Sequence, residues 1–153
     1  MDDPADTSRA ALPSDRMVVF FDGYCGMCNG FVDRILRHPR RDRFRFAPRQ
    51  GDAFQRLLGS HPQLAAANSI VAVPPRRADG AGAAQPLIRS SAVIAILREL
   101  GGARAALAGL LAGVPAPLRD LGYRVVASLR HHISRRRQAC RTPADDERAF
   151  FLA

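Results

Sequence analysis

The sequence predicts an α/β fold, a β-α-β-α-β-β-α core followed by an α-helical C-terminal extension. Three observations predict it. Short apolar runs of β type alternate with longer stretches whose apolar residues recur every three or four positions. Two more helical stretches, about 103–113 and 117–134, follow the last of these and are separated by Pro115 and Pro117. The chain of 153 residues has the length of one domain and can bury a core without disulfide staples.

Residues 1–16 read as a disordered leader, with Asp, Pro and Ser but no periodicity and no apolar core of the signal-peptide kind. Met17–Phe21 (MVVFF) is a continuous apolar run, short enough for a buried strand. Asp22-Gly23-Tyr24 breaks it. Cys28, Phe31, Val32, Ile35 and Leu36 then mark one face of a helix that His38-Pro39 ends. Arg43–Ala47 alternates polar and apolar, predicting a second strand with one buried face. Pro48–Ser60 carries a short helix, and Ser69–Val73 is a third strand. Pro74–Gln85 is a long, turn-rich connection to a fourth strand at Pro86–Arg89. Ser90 is expected to cap a helix through Leu100, which Gly101-Gly102 stops. Residues 17–102 thus form the core and 103–141 its helical extension, and 142–153 read as a flexible tail.

The longest nearly apolar stretch, Ala105–Leu118, has 14 residues and two prolines. A bilayer crossing needs about 20. The expectation is a cytoplasmic protein whose cysteines stay thiols unless they do chemistry. The net charge is +9, and all 23 basic residues are arginine. They crowd at Arg37–Arg49 and Arg130–Arg141. Such patches attract acidic partners or membrane surfaces, although a solvated helix face and a loose tail would look the same. Nucleic-acid binding is disfavoured, because the patches lack interleaved aromatics and the chain has two tyrosines and no tryptophan. The leucines at 107, 110, 111, 118, 121 and 129, with Val125, read as a core or partner-facing stripe.

The sharpest feature is FFDGYCGMC, residues 20–28. A C-x-x-C directly after a buried strand and at the first turn of a helix is a redox arrangement. Cys25 falls at the helix N-terminus, where unpaired N–H groups and the macrodipole favour a thiolate. Cys28 lies within one turn, on the apolar stripe, and is expected to be the more buried. An accessible thiolate then attacks a disulfide, and its shielded neighbour resolves the mixed disulfide. Asp22, at the strand's carboxyl end, has two readings. It relays the proton of Cys28, or it only makes the turn with Gly23. The substrate is a protein or small-molecule disulfide or thiol, and no bound organic cofactor is required. The alternative is a non-enzymatic zinc-binding or protein-interaction module using Cys25, Cys28 and Cys140, with His131 or His132 as a further ligand. Cys140 follows three arginines; it is either a third redox thiol or a small tail residue.

FDGYCGMC resembles the signature of the DCC family of predicted thiol-disulfide oxidoreductases. Asn29, Phe31 and Val32, then Phe44–Pro48, Ile88–Val93, Val114-Pro115, Arg119-Asp120, Tyr123, Arg130 and Cys140 resemble its later segments in order. The resemblance covers about residues 17–141. It implies a thioredoxin-like core and assigns function to Asp22, Cys25 and Cys28. The chain departs at Ser90-Ser91-Ala92, where the family often has Ser-Asp-Ala. It also has no proline before Ile70, where thioredoxin has one in cis that shapes the substrate groove.

Overall fold

A continuous apolar run such as Met17–Phe21 is stable where both faces of a strand are covered. In the computed structural model, which describes residues 12–76, 84–133 and 140–152, this run is strand β1 and every residue of it is buried. Its neighbours are β2 (Phe44–Pro48), β3 (Val71–Val73) and β4 (Leu87–Ile88), in the sheet order β2-β1-β3-β4. β1 runs parallel to β2, with Met17 opposite Phe44, and antiparallel to β3, with Val19 opposite Ala72. β3 and β4 are antiparallel. The residues that would turn the chain between them, 77–83, lie outside the described part, as do residues 1–11 of the expected leader.

The period-two geometry of β1 divides the core. Met17, Val19 and Phe21 pack with Val32, Ile35 and Leu36 of helix α1 (Gly26–Leu36) and with Ala92, Ile96 and Leu100 of helix α3 (Arg89–Leu100). Val18 and Phe20 pack on the other face with Phe54 and Leu57 of helix α2 (Asp52–Ser60). One parallel crossover, a central apolar strand and helices on both faces make the core thioredoxin-like, as the element order predicts. β2 departs in one respect. Phe44 and Phe46 serve one cluster and Ala47 the other, so both of its faces are covered, not one.

Two expectations about the chain's later part are corrected. Ser90 does not cap α3. The helix starts at Arg89, whose φ is +52°, and the Ser90 hydroxyl donates instead to Asp120. The expected flexible tail, 142–153, is docked at its described end, residues 150–152. Leu152 N–H donates to Phe46 C=O at 2.8 Å, and Phe151 bridges Phe46 in parallel, extending the sheet past β2. The Phe151 ring sits 6.2 Å from Phe21 and 5.8 Å from Phe46. The side chains of Phe150, Phe151 and Leu152 would be costly in water, and the edge of β2 offers them a seat.

The same docking engages part of the first arginine crowd, and the core engages more of it. Arg41 and Arg45 place their guanidinium groups over the Phe150 ring at 5.3 and 5.5 Å. Arg43 pairs with Glu99 at 2.6 Å, and Arg49 lies over Phe54 at 5.0 Å. The Arg40 guanidinium occupies the space beside Gly101, where an added Cβ would lie 2.5 Å from it. Gly101 also has φ +73°, a conformation that favours glycine. Much of this charge is therefore engaged within the fold.

Helices α4 (Gly102–Ala112) and α5 (Ala116–Ile133) pack on α3 and leave a leucine-rich surface, with Leu110 75% exposed. No helix among the described residues is long and apolar enough to cross a membrane.

Candidate active site

The site is built where β1 stops. Its carboxyl end carries Asp22 and Gly23, and the chain turns at once into α1. Cys25 is the N-cap of that helix, with extended backbone angles (φ −86°, ψ 115°). The Cys25 Sγ accepts the backbone N–H of Cys28 at 3.4 Å, the contact that a cap side chain makes with the third residue of a helix. Arg34 in the last turn complements the opposite end of the helix dipole. The two motif cysteines therefore lie close, within one helical turn. The expected difference in burial is absent, since Cys25 and Cys28 are each 7% exposed. Their environments differ instead. Cys25 faces the helix N-terminus, whereas Cys28 lies in the wall of an apolar cavity with Met27 and Phe31.

Asp22 shapes the loop. Its Oδ1 accepts from Tyr24 N–H at 3.0 Å and from Gln50 Nε2 at 2.9 Å, and its carbonyl accepts from Cys25 N–H at 3.1 Å. Gln50 returns the contact by accepting Gly23 N–H at 3.2 Å. Asn29, 3% exposed, donates from Nδ2 to the carbonyls of Gly23 at 3.0 Å and Cys25 at 2.8 Å. The loop that presents Cys25 is thus held by side chains from both its own helix and the end of β2. Sequence reasoning missed Gln50 and gave Asn29 no job. Gln50 had a signal, because β1 and β2 are parallel neighbours and residues just past their carboxyl ends must meet.

Cys140 enters this site from far along the chain. Arg141 N–H donates to Gly23 C=O at 3.2 Å, and a Cβ added to Gly23 would lie 2.3 Å from the Cys140 sulfur. Gly23 is glycine because that sulfur fills the space. The anchor is Arg141, whose side chain is 8% exposed. It pairs with Asp33 of α1 and, at 2.6 Å, with Glu147, and its guanidinium lies over Phe151 at 5.4 Å. Burial alone would lower the Arg141 pKa, but the hydrogen bonds and charges of Glu147 and Asp33 outweigh it and raise the group above the ordinary arginine value. Arg141 therefore does not belong to an exposed basic surface. The side chains of residues 130–139, His131 and His132 included, lie outside the described part.

Among the described residues, no three His, Cys, Asp or Glu side chains are grouped closely enough to hold a metal ion. Cys25, Cys28 and Cys140 are consequently not assembled as the zinc set that the alternative reading needs.

A family profile described as DCC1-like thiol-disulfide oxidoreductase matches residues 19–136. A chloroplastic DCC family protein of Arabidopsis thaliana is 30% identical over 138 residues, spanning 88% of this chain and 74% of that protein. An uncharacterized Bacillus subtilis protein, YuxK, is 30% identical over 136 residues, spanning 88% of this chain and 93% of its own. No solved structure matches the chain significantly.

Proposed function

Because the chain belongs to the DCC1-like thiol-disulfide oxidoreductase family, we propose that its dithiol–disulfide exchange runs through Cys25 as nucleophile and Cys28 as resolving thiol. The observation that carries this is the place of Cys25 at the N-cap of α1, with the Cys28 N–H aimed at its sulfur. A thiolate there keeps a hydrogen-bond donor and faces the positive end of the helix dipole. Equal burial means that the division of roles rests on this placement and not on access.

The exchange balances as follows. The Cys25 thiolate attacks one sulfur of a substrate disulfide, forming a mixed disulfide and expelling a thiolate. Cys28 loses its proton and attacks Cys25. The second substrate thiolate leaves, and the Cys25–Cys28 disulfide closes. Two electrons pass from the dithiol to the substrate, and a thiol donor restores the dithiol. In this reading Asp22, already fixed by Tyr24 and Gln50, accepts the Cys28 proton. The same reading places the protein where thiols are kept reduced, as in the cytoplasm.

The test is turnover of a disulfide by wild type, Cys25→Ser and Cys28→Ser, with mass spectrometry of trapped species. Cys28→Ser should accumulate a mixed disulfide on Cys25, and Cys25→Ser should lose turnover. A Cys25→Ser protein as fast as wild type rejects the assignment.

A further inference from the structure

The cavity behind Cys28 has a volume of about 550 Å³, within the roughly 300–1,000 Å³ that holds small-molecule ligands. It lies between the motif helix, the start of β3 and the two C-terminal helices. Met27, Cys28, Phe31, Ile70, Val93 and Val126 line it, so its wall is overwhelmingly apolar. Val126 at its rim is 55% exposed, which leaves a way in. Polar groups are few, and most are engaged. The Ser90 hydroxyl donates to Asp120, which also lies 4.0 Å from Arg89, and the Tyr123 hydroxyl accepts the Ile70 N–H at 3.2 Å. Arg119 is different. Arg119 also lines the cavity, and its Nε is buried with no hydrogen-bond partner among the described residues. A buried cation short of an acceptor is costly, and an anion held in the cavity would offset its charge.

From these features we propose that the cavity is a substrate site taking a small disulfide with an apolar body and one carboxylate, the body against Met27, Phe31 and Val93 and the carboxylate on Arg119. This rests on the exchange reading above: Cys28 is the motif cysteine in the wall, and Cys25, the attacking sulfur of that reading, lies within one helical turn of it. The substrate's S–S bond takes up two electrons and two protons from Cys25 and Cys28 and becomes two thiols, while the two cysteines close their own disulfide. A bulk dithiol reductant restores them.

Two measurements separate this proposal from the reading beneath it. The first is redox-free: calorimetric binding of octanoate to Cys25→Ser/Cys28→Ser protein. One octanoate should bind per chain, and Arg119→Gln should weaken it about tenfold, the scale of one hydrogen bond to a charged group. No binding, or equal binding by the Arg119→Gln protein, overturns the proposal. So does a dimer in sedimentation that excludes octanoate, since a second copy would then fill the cavity. The second is the kcat/KM ratio for oxidised lipoic acid over its neutral amide, lipoamide, which shares the dithiolane ring and differs at the carboxylate. Wild type should favour lipoic acid, and Arg119→Gln should bring the ratio towards one. Reduction of both with no preference overturns the cavity site while the exchange reading stands. Octanoate binding with no disulfide reduced by any variant rejects the exchange reading and, with it, the assignment of the cavity as a disulfide site.

Discussion

Replacing Gly23 by alanine tests whether Cys140 belongs to the active-site loop. The added Cβ would lie 2.3 Å from the Cys140 sulfur, with Gln50 Oε1 and Pro48 Cβ both at 3.4 Å. Only the first is a collision; the other two are at the near edge of ordinary contact. Neither partner can retreat easily. Gly23 is held through its N–H by Gln50 and through its C=O by Asn29 and Arg141, and Cys140 is tethered by Arg141 next to it. Overpacking of this kind costs about 2 kcal/mol. For a domain of this length that is about 4–8 °C in melting temperature. The assay is a double-mutant cycle of Gly23→Ala and Cys140→Ala by urea unfolding, with disulfide turnover measured alongside. Cys140→Ala removes the obstructing sulfur, so the double variant should recover more than half of the loss, a coupling of about 1 kcal/mol or more. Its turnover should recover in parallel, because the same loop carries Cys25. Strictly additive losses would show that Cys140 does not occupy that space in solution, and the placement of residues 140–152 would fall with it.

The other predictions concern what holds this arrangement. Arg141→Leu leaves Asp33 and Glu147 without their shared cation and should cost about 2 kcal/mol, below the 3–5 typical of fully buried pairs because Asp33 is 38% exposed. The Arg141 pKa is raised on folding, so its stabilisation is fully present below the ordinary arginine value and is lost only above it. The melting difference between wild type and Arg141→Leu should therefore stay constant from neutral to mildly alkaline pH, and a fall in that range would contradict the ion-pair account. Phe151→Ala removes a half-buried ring from Phe21 and Phe46 and should destabilise by about 2 kcal/mol in chemical denaturation; a change within error would mean that the C-terminal segment does not dock. Asp22→Asn keeps an Oδ1 acceptor for Tyr24 but cannot take a proton. It should melt like wild type and reduce disulfide more slowly, whereas unchanged turnover confines Asp22 to the turn.

What the sequence determined by itself was local. MVVFF followed by Asp-Gly and a three-and-four apolar repeat is sufficient to place a buried strand, a turn and a helix with Cys25 at its start, because each depends on residues within a turn or two of one another. The helices at 102–112 and 116–133 were legible for the same reason, as was the core's element order. Tertiary structure decided the rest. It set the burial of Cys28 equal to that of Cys25, turned the Ser90 hydroxyl from a cap into a partner for Asp120, and brought Gln50 to Asp22. Above all, it docked a segment that reads as a loose tail. Arg141 meets Asp33 across 108 residues, and Phe150 and Phe151 find their arginines and phenylalanines only once β2 presents its edge. Pairings of that kind follow no period along the chain. They exist because charges and rings left over by local structure gain free energy wherever the folded backbone brings them within reach.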